Sequence, residues 1–197
     1  GSSWKQGGVS LTVTPCDAAG VVYTPNLFGA TEPESPENGD VWLKQAEDAP
    51  WSYRDALKLY STAGGWQNIL LNCCRVTCEG LGEAFKAGDT VTLTGIPSVV
   101  KNAYSSDFSG DVVVDDVAGD SVILSIAPDI ESVLYYGTCV VTGQSVVWTA
   151  MDGKTTQTFD GPFPDVTAQR RVPDLDWLTE HTNRVWGCSS TENVIYA

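Results

Sequence analysis

Apolar and polar residues alternate in short runs along most of the chain. In 90–95, Thr-Val-Thr-Leu-Thr-Gly, Val91 and Leu93 share one face while the threonines occupy the other. A period of two residues is typical of a β-strand with one buried face. Turns rich in glycine, aspartate and asparagine separate the runs. The pattern predicts strands at 10–14, 21–23, 41–44, 56–60, 66–70, 90–95, 111–114, 121–126, 139–142, 146–149 and 155–159.

The last quarter of the chain, 170–197, is predicted to form three short strands joined by two tight turns. Its middle part is ambiguous, because the positions after Pro173 fit a helical stripe (175, 178, 182, 185) as well as one face of a strand (175, 177, 179). Strands are favoured, because Thr182-Asn183 interrupts the segment and Val194-Ile195-Tyr196 is rich in β-formers. A sheet that stops at Ala197 has an open edge and half a core, so we expect a piece of a larger protein.

The strands predict an all-β fold: a short hairpin unit, a small β-barrel or sandwich, and the opening strands of a further β-domain. The predicted divisions are a tag scar and leader (1–8), an N-terminal hairpin unit (9–72), the barrel or sandwich (73–143), and a hairpin with the first strands of a truncated domain (144–197). The scar is indicated by Gly1-Ser2 in place of Met. Within the second division, the proline-rich stretch 29–40 is predicted to be an extended connector.

The net charge of the chain argues against nucleic acid as a partner. The net charge is −14, and only 11 lysines and arginines are spread along the chain. Phosphate binding needs clustered cations, so nucleic acid is not an expected partner. The chain also lacks an apolar run long enough to cross a bilayer, so no membrane partner is expected. The acidity fits a solvated surface.

The six cysteines, at 16, 73, 74, 78, 139 and 188, do not have the spacing of a zinc site. Two Cys-x-x-Cys pairs are missing, and the one histidine, His181, is remote. Neither a metal nor another cofactor is therefore predicted. Cys73 and Cys74 should point to opposite faces of a strand. Free, buried thiols are the favoured state, which indicates assembly in a reducing cytoplasm.

Two groups of segments resemble parts of bacteriophage tail proteins. The first, Pro-Glu-Asn-Gly-Asp-Val-Trp at 36–42 with 57–60 and Gly-Trp-Gln-Asn-Ile at 65–69, is similar to a hairpin unit of tail and tail-fibre proteins. The second, 171–177 with Asn-Arg-Val-Trp-Gly-Cys at 183–188 and Asn-Val-Ile-Tyr-Ala at 193–197, resembles the opening blade of a long virion protein. That protein belongs to phages and prophages of Gram-positive gut bacteria and is similar to propeller-containing tail nozzle proteins. The segments 85–89 and 91–95 extend the resemblance, whereas the blades that should follow Ala197 are missing.

Residues able to carry catalysis are sparse. A nucleophile system would need His181 as its base, with Asp174, Asp176 or Glu180 and a serine at 189 or 190, and no Gly-x-Ser-x-Gly elbow is present. A glycosidase would need two carboxylates in one groove. The candidate pairs are Asp115 with Asp116, Asp107 with Asp111, and Asp174 with Asp176. Adjacent aspartates face opposite ways in a strand unless a bulge intervenes. Solvated turn carboxylates are the simpler interpretation, so no catalytic residue is predicted.

The chain has seven tryptophans, which can either fill the core or form contacts with a partner. They lie at positions 4, 42, 51, 66, 148, 177 and 186. Trp42, Trp66 and Trp186 lie in predicted strands and should pack. Trp51, beside Tyr53 in a polar loop, is the best candidate for an exposed contact. The predicted contact residues are Trp51, Tyr53, Trp177 and Trp186.

Together the resemblance and the missing catalytic pattern predict a non-enzymatic structural protein of the virion that acts in tail assembly. Its partners would be other tail proteins and copies of itself, and assembly would occur in the cytoplasm of the host bacterium. One alternative is a carbohydrate-binding module of a tail fibre that recognises host surface glycan. A second is a polysaccharide-degrading tail enzyme.

Overall fold

The computed structural model describes residues 2–44, 57–104, 108, 110–128, 137–171, 177–182, 184–189 and 194–196. Within this described structure, strands account for 49% and helices for 8%, which confirms the all-β class. The described elements are β1 (Ser3–Lys5), β2 (Leu11–Cys16), β3 (Leu27–Gly29), β4 (Val41–Lys44), β5 (Leu57–Ser61), β6 (Gly65–Asn68), β7 (Cys73–Thr77), α1 (Leu81–Ala84), β8 (Thr90–Thr94), α2 (Ser98–Tyr104), β9 (Asp111–Ala118), β10 (Ser121–Leu124), β11 (Gly137–Val141), β12 (Ser145–Ala150), β13 (Thr156–Asp160), β14 (Thr167–Arg170), β15 (Trp177–His181), β16 (Arg184–Ser189) and β17 (Val194–Tyr196).

These strands form three sheets. The largest has ten strands in the order β1-β14-β8-β9-β10-β7-β2-β11-β12-β13. A four-stranded sheet has the order β3-β4-β5-β6, and a three-stranded sheet the order β15-β16-β17. Neighbouring strands are antiparallel throughout, except that β3 runs parallel to β4.

The ten-stranded sheet curves around one hydrophobic core. Trp148 of β12 and Ala168 of β14, near opposite ends of the strand order, belong to the same buried cluster. In β8 the alternation works as predicted, with Val91 and Leu93 buried and the threonines more exposed. Helix α2 places the fully buried Tyr104 in this core, where its hydroxyl donates to the Gly137 carbonyl at 3.1 Å.

The N-terminal residues, expected to be a scar and leader (1–8), contribute to this sheet. Strand β1 pairs with β14, and the Trp4 indole donates to the Glu79 carbonyl at 2.9 Å. Gln6 is buried, and its side chain donates to the Val141 carbonyl at 2.9 Å and accepts from the Val166 amide at 3.1 Å. The side-chain amide of Gln6 therefore ties the β14 end of the sheet to β11.

Strand pairing crosses the other predicted divisions as well. Strand β2, expected in the hairpin unit (9–72), lies between β7 and β11 of the ten-stranded sheet. Strands β12 to β14, expected in the last division (144–197), belong to the same sheet. Alternation identifies a strand but carries little information on its long-range partner, which is why the divisions differ from the sheets.

The predicted strand at 21–23 is not formed. The Asp17 carboxylate accepts from the amides of Ala19 and Val21, both at 2.9 Å, and the Tyr23 hydroxyl donates to it at 2.7 Å. A side chain that takes local backbone donors in this way competes with a strand ladder. The segment therefore folds as a loop after β2.

The four-stranded sheet occupies the excursion between β2 and β7. Its inner face holds a separate apolar cluster of Val41, Leu43, Leu57, Ile69 and Leu71. On the other face Trp66 packs against Trp42 and Tyr60, with ring centroids 5.4 and 5.2 Å away. The expected packing of Trp42 and Trp66 is confirmed, and so is the turn between β5 and β6, where Gly65 has φ 68°.

The C-terminal segment forms strands rather than a helix. Strand β15 pairs with β16, and β16 with β17, both antiparallel. Thr182 closes the first turn with φ 52°, a left-handed conformation that ends any helical continuation. The expectation of three strands in 170–197 is confirmed.

No helix in the described part of the chain is long and apolar enough to cross a membrane.

Candidate interaction surface

Strand β15 is the outer strand of the three-stranded sheet, and all five of its residues are exposed. Trp177 is 54% exposed and Leu178 is 61% exposed. Neighbours in a strand point to opposite faces, so apolar surface reaches solvent on both faces of β15. Among the described residues no strand pairs with the outer edge of β15. Within the described part of the chain, this edge therefore has unpaired backbone groups beside two large apolar side chains.

Strand register brings two predicted contact residues to one face. Trp177 lies opposite Cys188, and Thr179 lies opposite Trp186. Residues paired across a ladder share a face, so Trp177 and Trp186 are diagonal neighbours on the same side. Diagonal positions in an antiparallel pair are about 7–8 Å apart, within reach of large aromatic side chains. We call Trp177, Thr179, Trp186 and Cys188 the aromatic face.

The second face of β15 shows why Leu178 is uncovered. Leu178 pairs with Gly187, which has no side chain to place against it. The sequence did not indicate that Leu178 is exposed, because the residue type and the alternation are compatible with burial in a sheet. The register places a glycine opposite Leu178 and so leaves it without a cross-strand side chain.

Trp186 is less accessible than Trp177. The residue is half-buried, and its indole Nε1 is shielded from solvent without an acceptor among the described residues. Trp186 therefore lies in the sheet, as the sequence predicted, and Trp177 is the more accessible member of the aromatic face. The predicted contact residues Trp51 and Tyr53 lie outside the described residues.

The candidates for catalysis that lie among the described residues do not combine into a catalytic group. His181 is exposed at the end of β15, and among the described residues no hydrogen bond joins its ring to a serine or a carboxylate. Asp111 accepts from Arg171 at 2.8 Å and from Thr92. Of the other candidates, Asp107, Asp174, Asp176 and Ser190 lie outside the described residues, and Glu180 is exposed on β15.

Asp115 and Asp116 lie at a β-bulge. A bulge would allow the side chains of two adjacent aspartates to point to the same face of the sheet. Ile123 pairs with Asp116 and Leu124 with Val114, which leaves Asp115 as the extra residue. Both aspartates are exposed. Ser125 donates to Asp115, and the Val117 amide donates to Asp116 at 2.8 Å. Both carboxylates are therefore engaged with their own hairpin.

A cleft of about 450 Å³ opens between the 17–23 loop and the four-stranded sheet. Its lining includes Asp17, Tyr23, Gln67, Leu70 and Asn72. The hydrogen bond from Tyr23 to Asp17 raises the pKa of the tyrosine to about 12, with burial as the second cause. A carboxylate that is already hydrogen-bonded by two amides and a phenol has little capacity left for a ligand.

The cysteines are free thiols, five of them buried, and Cys188 is half-buried. Cys74 belongs to the main core, whereas Cys73 packs with Cys16 and Ile123 on the opposite side of β7, as the alternation predicted. Burial raises the pKa of Cys139 to about 12. Among the described residues no group of three His, Cys, Asp or Glu side chains is placed to hold a metal ion.

Comparison with known proteins yields no match: no family model matches the chain, and neither a curated protein nor a solved structure does.

Proposed function

We propose that this chain is a non-enzymatic structural component of a bacteriophage virion that acts in tail assembly. Its partners would be other tail proteins and further copies of the chain, brought together in the cytoplasm of the host bacterium. The proposal combines a sequence resemblance to tail proteins with the surface chemistry of the C-terminal sheet. The resembling segments are 36–42, 57–60, 65–69, 171–177, 183–188 and 193–197.

One observation carries most of the weight: the exposed edge strand β15, with Trp177 and Leu178 in solvent on its two faces. An exposed apolar edge strand is a template for pairing with another chain, so folded proteins usually cover it, shorten it or place charges on it. Burying a large aliphatic or aromatic side chain contributes about 1.5–3 kcal/mol. A neighbouring subunit that covers β15 would remove both the unpaired edge and the apolar surface.

The test is the native mass of the chain at micromolar concentration, measured by light scattering behind a sizing column. We expect a discrete oligomer, and a trimer would indicate a fibre while a hexamer would indicate a tail ring. Leu178→Lys should lower the mass, because a lysine on an edge strand opposes further pairing. Leu70→Lys is the matched control, since Leu70 is 65% exposed but lies outside the three-stranded sheet.

Equal loss of mass in both variants would show that charge alone, rather than the β15 edge, controls association. A wild-type chain that stays monomeric across the concentration range would contradict self-assembly. That result would favour an independent binding module.

The alternative with its own observation is a carbohydrate-binding module for host surface glycan. Trp177 and Trp186 on one face of the C-terminal sheet resemble a stacking platform for sugar rings. Calorimetric titration with soluble cell-wall polysaccharides would detect this activity. Trp177→Ala should then abolish the heat of binding while leaving the native mass unchanged, which is the reverse of the result that assembly predicts.

A further inference from the structure

The four-stranded sheet is an insertion whose two ends lie side by side, at Cys16 and Cys73. We call this pair of ends the root of the insertion. The chain leaves the ten-stranded sheet at Cys16, the last residue of β2, and returns at Cys73, the first residue of β7. Strands β2 and β7 are antiparallel neighbours, and Cys16 is the direct partner of Cys73 in their register. All of β3 to β6 lies between these two cysteines.

The two thiols share a small buried compartment. Cys16 is 0% exposed and Cys73 is 4% exposed, and they form an apolar cluster with Ile123 on the side of the sheet away from the main core. Gly20, at φ +75°, lies so close to Ile123 that a Cβ there would be 2.8 Å from Cδ1. The loop that starts the insertion therefore closes over the cysteine pair.

We propose that Cys16 and Cys73 are an oxidisable pair that forms a cross-strand disulfide at the root of the insertion. The site is a modification site for small-molecule disulfides, such as oxidised glutathione. Its product would fasten the two ends of the 17–72 excursion to each other.

The register provides the geometry for this bond. Directly opposed residues of an antiparallel pair have Cα atoms about 4.5–5.5 Å apart, and disulfides span about 4.4–6.8 Å between Cα atoms. The side chains of directly opposed residues also lie on the same face of the ladder. The bond can therefore form without a change in strand pairing.

The same register makes the pairing selective. Cys74, although adjacent to Cys73, pairs with Pro15 and packs in the main core. Cys139 pairs with Val13, which places it on the core face of β11. Linking Cys16 to either of these thiols would require a side chain to cross the sheet.

The reaction is thiol–disulfide exchange. The thiolate of one cysteine attacks the small disulfide and releases one small thiol, which gives a mixed disulfide. The second cysteine then loses its proton and displaces the other small thiol. Two protein thiols are oxidised to one disulfide, one small disulfide is reduced to two thiols, and atoms and electrons balance.

Burial of the two thiols determines when the disulfide can form. Burial, with Cys73 as the next cause, raises the pKa of Cys16 to about 12. Thiolate is the reactive form, so the folded protein reacts slowly at neutral pH. Formation should therefore require refolding, or a transient opening of the root, in an oxidising medium rather than in the reducing cytoplasm proposed for assembly.

The experiment uses the full chain, reduced and unfolded in guanidinium chloride and then refolded in a mixture of reduced and oxidised glutathione. After an acid quench and alkylation with N-ethylmaleimide, trypsin releases peptide 6–44, which holds Cys16, and peptide 59–75, which holds Cys73 and Cys74. We expect these two peptides to be joined. Fragmentation between Cys73 and Cys74 should show the maleimide on Cys74.

The reduced protein, refolded with reduced glutathione alone, is the control for stability. The oxidised form should melt at a higher temperature, because the bond restricts the unfolded chain. Cys73→Ser should lose the cross-link and Cys74→Ser should keep it. The proposal is overturned if Cys74 rather than Cys73 carries the bond, if all six cysteines are alkylated, or if the oxidised form melts at a lower temperature.

Discussion

At the residue scale, the Gly-Asp pairs illustrate how far a local motif determines its own structure. Gly39 and Gly88 have φ +94° and +86°, and the aspartates after them accept from amides three residues earlier, at Glu37 and Lys86. The hydrogen bond from Asn26, followed by that from Glu37, lowers the pKa of Asp40. Each of these two Gly-Asp pairs thus closes a local turn directly before a strand, β4 or β8. Asp111, after Gly110, instead bonds Thr92 and Arg171, which are remote in sequence.

Gly20→Ala should destabilise the protein more than Gly8→Ala. Both glycines have positive φ, +75° and +79°, so an alanine at either costs about 1–2 kcal/mol in backbone conformation. Only at Gly20 would the new Cβ also meet Ile123 at 2.8 Å, whereas nothing lies within 4 Å at Gly8. Urea unfolding gives both free energies. Equal losses would show that Ile123 moves aside without cost.

Cys139 should contribute to a loss of stability at alkaline pH. Burial raises the pKa of its thiol to about 12 from the usual 9.0, so the unfolded chain releases the proton first. The contribution is fully present below pH 9 and disappears as pH rises toward 12. Between these limits one thiol should lower the free energy of unfolding by about 1.4 kcal/mol per pH unit.

The measurement is urea unfolding under reducing conditions from pH 8 upward, for the wild type and for Cys139→Ala. The variant should be less stable at pH 8 but show a shallower decline above pH 9. If the free energies of unfolding of the two proteins fall in parallel with pH, the Cys139 thiol ionises equally in the folded and unfolded states.

At the scale of elements, β4 shows how one strand can be covered on both faces. Val41 and Leu43 enter the inner cluster of the four-stranded sheet, while Trp42 is 3% exposed on the other side against Trp66. Three consecutive buried residues do not alternate in polarity, so the sequence predicts a buried strand without saying what covers each face.

Leu43→Ala should therefore cost about 2–5 kcal/mol, because it opens a cavity in a small cluster. Leu43 is 0% exposed, whereas Leu70, at 65%, is the matched leucine in solvent. Leu70→Ala should change the free energy of unfolding by less than about 0.5 kcal/mol. Chemical unfolding of both variants gives the two changes in free energy of unfolding. Similar losses would mean that neighbouring side chains of the cluster fill the cavity at Leu43.

At the scale of the whole molecule, the ten-stranded sheet is the continuous structure, and the four-stranded sheet is carried on the loop between two of its neighbouring strands. The insertion also reaches back to the large sheet, since Met151 packs on its cluster and Lys154 Nζ lies 4.9 Å from the Phe28 ring centroid. The main core and the inner cluster of the four-stranded sheet thus stabilise two regions that remain in contact.

Replacing 17–72 by Asn-Gly should leave the ten-stranded sheet folded. Strands β2 and β7 are already paired and antiparallel, so a two-residue hairpin turn can join them. Circular dichroism should retain a β spectrum, and urea unfolding should remain one cooperative transition at lower stability. A chain with no cooperative transition would show that the insertion is required for the large sheet.

Much of this fold follows from the sequence alone. Period-two alternation and turn residues located β5, β6, β8, β9, β10, β12 and β13, and the opposite-facing Cys73 and Cys74. Trp177 and Trp186 were also recognised from sequence as contact candidates. These features depend on residues a few positions apart, and a periodic pattern reports on them directly.

Tertiary structure decided which strands pair and what each pairing exposes. Sequence did not place β2 between β7 and β11, nor Cys16 opposite Cys73, nor Gly187 opposite Leu178. Pairing partners far apart in sequence are selected by how the whole core packs and by the entropy of closing long loops, neither of which a local pattern contains. Local sequence determines where the strands of this chain form. Its aromatic face and its cysteine pair exist only because of the register between strands.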